Sequence, residues 1–231
     1  MDRAGRRLAL AAAGLVLAVV LGMAALVAWS SAGAAGDLPW IPLAADKTLG
    51  VNADLVALDP VGQEAALAAM EAAGLRWLRV RFAWDASEPA PGVHDWTAWD
   101  AVVDGAMQHD LTLIAVLDGS PAWARAPEDA TNPLAPPAEV RDFGDWAAVL
   151  AARYGDRIDH YQIWDEPNIA PHWGGREIDP AGYLRLLREG AVRVRAADPG
   201  ALVLAAALAP NIEAGGANMS ELHFLDTLYG L

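Results

Sequence analysis

The chain has 231 residues, 55% of them hydrophobic, so it can bury a sizeable core, but a complete eight-unit α/β barrel typically needs about 250 residues. A formal net charge of −14 argues against a surface built to bind nucleic acid, because phosphates require a basic patch. The absence of cysteine excludes disulfides, thiolate metal sites and a cysteine nucleophile.

The N-terminal sequence predicts export. Residues 1–7 contain three Arg, and residues 8–29 are uncharged and apolar, long enough to cross about 30 Å of hydrocarbon as one helix. Basic residues before such a span predict a cytoplasmic N-terminus and a domain outside the cell membrane. The alternative is a cleaved signal peptide with a small-residue cleavage site at 32–34, which would give a secreted protein. Either way, residues 30–45 form a linker to a folded domain at 46–231, and the chain beyond residue 36 carries a formal charge of −16.

Strands and helices alternate along this domain. Apolar alternation, segment length and flanking Gly or Pro predict five strands, at residues 49–52, 75–82, 111–117, 158–166 and 201–209. Apolar residues at helical spacing predict five helices, at residues 63–73, 96–107, 138–154, 183–197 and from residue 220 onwards. This alternation predicts a parallel α/β sheet, with five of the eight units of a complete barrel.

The second strand has an alternating pattern that decides which side chains face inwards. Leu78, Val80 and Phe82 suit the side that packs against helices, which points Arg79 and Arg81 into the barrel. Both Arg residues then need carboxylate partners, because an unpaired buried charge is costly. In the alternative, the two Arg residues lie on a solvated edge.

The fourth strand leads into Trp164-Asp165-Glu166-Pro167-Asn168. Pro and Asn break a strand, so we expect Glu166 at its carboxyl end, which is the catalytic face of α/β barrels. A surface turn with two solvated acids is the alternative interpretation.

This motif resembles the W-N-E-P-N segment of retaining glycoside hydrolases of clan A, especially families 39 and 5. Other segments resemble the same families in the same order: L-R-V-R-F-A-W at 78–84, E-P at 88–89, P-G-V-H-D-W at 91–96, P-A-W-A at 121–124 and R-Y-G at 153–155. The resemblance covers roughly residues 48–231. It implies a (β/α)8 TIM barrel of which about the first five β/α units are present, preceded by the transmembrane or signal helix.

The resemblance also implies a retaining mechanism, in which two carboxyl groups about 5–5.5 Å apart act on the glycosidic bond. Glu166 would be the general acid/base. The family's nucleophile is a Glu on the seventh strand, and no segment here matches its motif, so this chain alone is expected to be inactive. The other acids near strand ends, Asp85, Glu88, Asp118 and Glu213, are interpreted as loop-surface acids.

Eight residues are predicted to bind carbohydrate: Arg79, Trp84, Trp123, Trp164, Asp165, Asn168, His172 and Trp173. The resemblance places Arg79 beneath the catalytic carboxylates, and indole rings can stack on a sugar face. Asp165 replaces the family's usual Asn and, when ionised, can only accept hydrogen bonds, so activity can be altered or lost. The histidines show no metal-ligand spacing, so no metal and no cofactor are predicted.

The sequence therefore predicts a hydrolase of O-glycosidic bonds in a polysaccharide or glycoside, with carbohydrate as its partner and the membrane contacted through the N-terminal helix. The alternative is a catalytically inactive carbohydrate-binding or cell-surface scaffold protein. Asp165 and the missing nucleophile motif favour this alternative.

Overall fold

The computed structural model describes residues 48–231. Its centre is a five-stranded parallel sheet, whose strands lie side by side in the order Gly50–Asn52, Trp77–Ala83, Thr112–Asp118, His160–Ile163 and Leu202–Ala205. The strands in chain order are β1 Gly50–Asn52, β2 Trp77–Ala83, β3 Thr112–Asp118, β4 His160–Ile163, β5 His172–Gly175, β6 Leu202–Ala205, β7 Ala214–Gly215 and β8 Asn218–Met219. The last two form an antiparallel ribbon that the sequence did not predict.

Helices alternate with the strands of the large sheet. They are α1 Pro60–Ala72, α2 Trp84–Ser87, α3 Thr97–Gln108, α4 Val140–Tyr154, α5 Pro180–Ala197 and α6 Glu221–Tyr229, with a 3-10 turn at Pro127–Asp129. The five predicted strand-helix units are thus confirmed, and the arrangement is that of a partial TIM barrel. The single-turn helix α2 was not predicted, and β6 has 4 residues where nine were expected.

Local sequence signals set the ends of helix α1. The Asp59 carboxylate accepts a 2.7 Å hydrogen bond from the backbone N–H of Gly62, and Pro60 occupies the first turn, where its missing N–H costs nothing. After the helix, Gly74 has a φ of 75°, a left-handed conformation that glycine adopts without strain. The chain can therefore turn directly into β2.

The two faces of β2 have the predicted polarity. Leu78, Val80 and Phe82 are fully buried against the helices. Arg79 and Arg81 point to the opposite side, which a complete barrel would enclose. Both guanidinium groups have carboxylate partners near the carboxyl end of the sheet, as the inward orientation requires. The Arg81 side chain is 42% exposed, so it keeps part of the solvation that the alternative expected.

The core between the sheet and the helices is rich in aromatic rings. Trp84 lies at its centre, stacked on Trp146 at 5.7 Å between ring centroids and edge-on to Phe143 at 5.8 Å. Phe143 also contacts the ring of Trp164. These residues come from the ends of β2 and β4 and from helix α4, so the core holds the loops of the sheet's carboxyl end in place.

On β6, apolar side chains remain exposed. Leu202 is 55% exposed and Leu204 is 37% exposed, and they lie beside His160 and Gln162 of β4 in register. This is the side of the sheet that carries Arg79.

Within residues 48–231, no helix is long and apolar enough to cross a membrane. The predicted anchor or signal segment at 8–29, the basic residues 1–7 and the linker at 30–45 lie outside the described part of the chain, and those interpretations stay predictions.

Candidate functional site

The candidate site begins where β4 ends. The strand stops at Ile163 and not at Glu166 as predicted, because Trp164 and Glu166 have left-handed φ angles of 70° and 47°. Such angles are uncommon outside glycine and need support from the surroundings. Here the backbone N–H of Trp164 donates to the Leu117 carbonyl at 2.8 Å, and that of Glu166 donates to the Ala207 carbonyl at 2.9 Å.

Within residues 48–231, the Glu166 carboxylate has one ion-pair contact, with His172. Its Oε2 lies 3.5 Å from Nε2 of His172, and the Glu166 side chain is 36% exposed. The His172 backbone is fixed by Trp164, whose Nε1 donates to the His172 carbonyl at 2.8 Å. The structure therefore brings Glu166 and His172 together and leaves the Glu166 carboxyl group accessible.

Asp165 is held by the charged network of the barrel interior. Nη2 of Arg79 donates to Asp165 Oδ1 at 2.5 Å, and Nε of Arg79 donates to Gln162 Oε1 at 3.0 Å. Gln162 Nε2 donates to the same Asp165 oxygen at 3.2 Å. The Arg79 guanidinium thus compensates the negative charge of Asp165. Asp165 is a carboxylate partner of the kind that the sequence predicted for Arg79.

Asp118 forms the second ion pair. Its Oδ1 accepts from Nε of Arg81 at 2.5 Å, and Asp85 lies 4.0 Å from the same guanidinium. Asp118 is only 4% exposed, so its interpretation as a loop-surface acid is wrong. Burial raises the pKa of Asp118 to about 6, although Arg81 acts to lower it, and the nearby charge of Asp165 also raises it.

The pH dependence of stability should report the burial of Asp118. Because the pKa is about 6 in the folded chain and 3.8 is its ordinary value, the folded state binds the extra proton and loses stability as pH rises from 4 to 7. Asn at this position does not titrate. From pH 4 to pH 7, the free energy of unfolding should therefore fall by about 2 kcal/mol more in the wild type than in Asp118→Asn. Urea unfolding of both proteins at pH 4 and pH 7 measures these free energies. The same change in the free energy of unfolding in both proteins would contradict the prediction.

Glu88 is a second buried acid that was wrongly interpreted as a surface residue. It is 6% exposed and accepts hydrogen bonds from Nε1 of Trp84 at 2.6 Å and from the backbone N–H of Gly92 at 2.7 Å. Its carboxylate thus fixes the loop after β2. Glu213 matches the prediction, because it is exposed and binds the Asn218 amide.

Three of the four predicted sugar-stacking tryptophans belong to the core. Trp84, Trp164 and Trp173 are at most 3% exposed, and each packs edge-on against other aromatic rings, so none offers a face to a sugar. Trp123 is partly exposed, with its Nε1 donating to the Glu88 carbonyl at 3.1 Å. Among these residues, Trp123 is the one placed to contact a ligand.

Asn168 is also removed from direct contact with a substrate. It is fully buried, and its amide donates to the carbonyls of Ala209 at 2.8 Å and Met219 at 2.9 Å. Its Oδ1 accepts from the Ala209 backbone N–H at 2.9 Å. Asn168 therefore connects the loop after β4 to the segment after β6 and to the ribbon, a role that the local sequence does not reveal.

The described part of the chain brings together no group of three or more His, Asp or Glu residues that could hold a metal ion. Asp118 and Asp165 are both engaged with Arg, which leaves Glu166 as the accessible carboxyl group of the site.

No family model matches the sequence, and no match is found among curated proteins. Solved structures do match. A family 39 glycoside hydrolase from Bacteroides cellulosilyticus WH2 is 21% identical with a TM-score of 0.57, and the match covers 68% of this chain and 30% of that one. The family 39 enzyme from Xanthomonas axonopodis pv. citri is 20% identical with a TM-score of 0.54, covering 67% and 34%. A GH5_18 protein from Streptomyces cattleya, solved with GlcNAc, is 21% identical with a TM-score of 0.52, covering 65% and 40%.

These similarities confirm the resemblance to clan A glycoside hydrolases at the level of the fold. At such low identity the fold is what the comparison shows. The matched region spans between 30% and 40% of the length of these three structures.

Proposed function

We propose that this chain carries the general acid/base of a glycoside hydrolase that cleaves O-glycosidic bonds in a polysaccharide or glycoside. One observation supports the assignment above the others: Glu166 presents an accessible carboxyl group just beyond the carboxyl end of β4, in a sheet whose fold matches family 39 structures. That end of an α/β barrel is where catalytic residues lie.

In the proposed reaction, Glu166 donates its proton to the leaving oxygen while a second carboxylate attacks the anomeric carbon. Glu166 then takes a proton from the water that releases the sugar, with retained configuration. The second carboxylate comes from outside the described residues, because Asp118 and Asp165 are bound to Arg81 and Arg79. The exposed Leu202 and Leu204 support this, since further β/α units would cover them.

The proposal also places the site outside the cell. Residues 8–29 would anchor the protein in the cell membrane or act as its signal peptide, with the acidic domain on the external side. Proteolysis of intact host cells should therefore degrade epitopes within 48–231 without lysis. Protection until the cells are lysed would contradict this location.

The test of function is turnover by the longest natural polypeptide that contains this sequence. It is incubated with a panel of aryl glycosides, and the anomer first released is identified by proton NMR. We expect hydrolysis of at least one glycoside with retained configuration. An inverted product would contradict the retaining mechanism, and no release from any glycoside or oligosaccharide would contradict the hydrolase assignment.

A second candidate function is carbohydrate binding without catalysis. It is favoured by the Arg79–Asp165 pair, because an Asp bound to Arg cannot donate to a sugar hydroxyl as Asn does. Saturable binding of an oligosaccharide, detected by calorimetry, together with no product after prolonged incubation, would favour this candidate. Measurable hydrolysis would exclude it.

A further inference from the structure

A separate cavity lies between the loop after β2 and helix α4. Its volume is about 320 Å³, near the lower end of ligand-binding pockets, and its walls include Glu88, Gly92, His94, Trp123, Asp142 and Trp146. None of the described residues that line it belongs to the group around Glu166. The cavity is therefore distinct from the proposed catalytic site.

One wall is a rigid aromatic surface. Trp123 is partly exposed, and the hydrogen bond from its Nε1 to the Glu88 carbonyl fixes the plane of the indole. The ring of Trp84 packs against it in a T-shaped arrangement, with 5.5 Å between the ring centroids. A fixed indole can stack on a flat apolar ring and can also attract a cation.

His94 lines the cavity, and its Nε2 has no hydrogen-bond partner among residues 48–231. Its Nε2 is enclosed, and the nearest carboxylate oxygen is Glu88 Oε1 at 3.5 Å. The imidazole is held by stacking on Trp96, with 5.4 Å between the ring centroids. Because this nitrogen has almost no exposed surface, a ligand in the cavity cannot reach it, and the His94 ring serves as a fixed wall of the cavity.

The cavity has one sign of charge. Glu88, Asp142 and Asp145 line it, and its lining contains no Arg or Lys side chain. Asp145 is bound by Arg193 at 3.0 Å, whereas Asp142 has no ion pair among residues 48–231. Partial burial, followed by the charge of Asp145, raises the pKa of Asp142, so a cation beside it would be favoured.

We infer that this cavity binds a small ligand in which a protonated amine is attached to a flat, ring-sized apolar face. Amino sugars and simple cyclic amines share this chemistry. The aromatic wall of Trp123 supplies the stacking surface, and the carboxylate of Asp142 supplies the countercharge. The inference does not depend on hydrolysis, because binding here involves no bond cleavage.

The test uses the full-length protein and calorimetric titration at pH 6.5 with four probes. Glucosamine and cyclohexylamine carry the amine, whereas N-acetylglucosamine and cyclohexanol are their neutral counterparts. We expect saturable binding of at least one amine, at least about tenfold tighter than its neutral counterpart. Binding of cyclohexylamine alone identifies a plain amine site, and binding of glucosamine alone identifies an amino sugar site. Equal affinity for the neutral probes, or no saturation by either amine, would overturn the inference.

Two matched variants locate the binding. Asp142→Asn should weaken amine binding about fivefold to tenfold, because it removes the unpaired carboxylate without changing the side-chain shape. Asp226→Asn makes the same charge change at an exposed position on α6 and should leave the affinity unchanged. Trp123→Leu removes the aromatic wall and provides a second variant, which should weaken binding of the amines by removing the stacking surface. Equal effects of Asp142→Asn and Asp226→Asn would overturn the site.

Discussion

Glu166→Gln in the complete protein is expected to lower kcat/KM for alkyl glycosides by about 100-fold to 10,000-fold, the range of general acid catalysis. Gln keeps the size of the side chain but cannot donate the proton that an alkoxide leaving group needs. The Glu166 side chain is 36% exposed and forms no salt bridge with any Arg in the described part of the chain, so the substitution strands no buried charge there and the fold should be unaffected. Initial rates at low substrate concentration give kcat/KM directly.

The leaving group provides the control for this prediction. A dinitrophenyl glycoside leaves without protonation, so its kcat/KM should fall far less in Glu166→Gln than that of the alkyl glycoside. Glu177→Gln makes the same chemical change at an exposed residue and should leave both rates unaltered. Equal losses for both leaving groups would show that Glu166 has another role, and undiminished hydrolysis would remove it from the mechanism.

The sequence predicted the parts of the fold that depend on short-range periodicity. The alternation of Leu78, Val80 and Phe82 with Arg79 and Arg81 gave both the burial of the apolar side and the requirement for carboxylate partners. Parallel strands repeat this pattern every two residues, so one strand is enough to assign its two faces. The identity of the partners follows only when β3 and β4 are placed beside β2.

The errors in the site come from contacts between distant segments. Trp84 and Glu88 follow β2 in sequence, where a loop and an exposed carboxylate are the ordinary expectation. Instead, helix α2 turns Trp84 into the core against Trp146, and the buried indole N–H then binds Glu88. A packing partner that lies 62 residues away along the chain leaves no local signal in the sequence. Burial of a polar group becomes acceptable only when such a partner is present.

The end of β4 was also mispredicted because its conformation depends on contacts with other segments. Pro167 correctly predicts a break, but the strand ends earlier because Trp164 and Glu166 adopt left-handed conformations. Their backbone N–H groups bond to Leu117 and to Ala207, one before and one after β4 in the chain. These two partners make an otherwise unfavourable backbone stable, and they turn the Glu166 side chain towards His172.

Asn168→Ala is expected to lower the free energy of unfolding by about 3 kcal/mol, the cost of leaving buried polar groups unpaired. The substitution removes three hydrogen bonds to backbone groups, and the Ala209 N–H loses its acceptor in a buried position. Urea unfolding followed by tryptophan fluorescence measures the change. Unaltered stability together with weakened sugar binding would contradict the structural role and support the substrate contact that the sequence predicted.

Asn211 provides a matched comparison because it donates to the same two acceptors. Its Nδ2 lies 3.2 Å from the Ala209 carbonyl oxygen and 3.0 Å from that of Met219, and its side chain is only partly buried. In Asn211→Ala both carbonyls keep the amide of Asn168, so the loss should be about 1 kcal/mol. The double variant leaves both carbonyls without either donor, so its loss should exceed the sum of the single losses by about 1 kcal/mol. Strict additivity would mean that the two amides do not share these acceptors in solution.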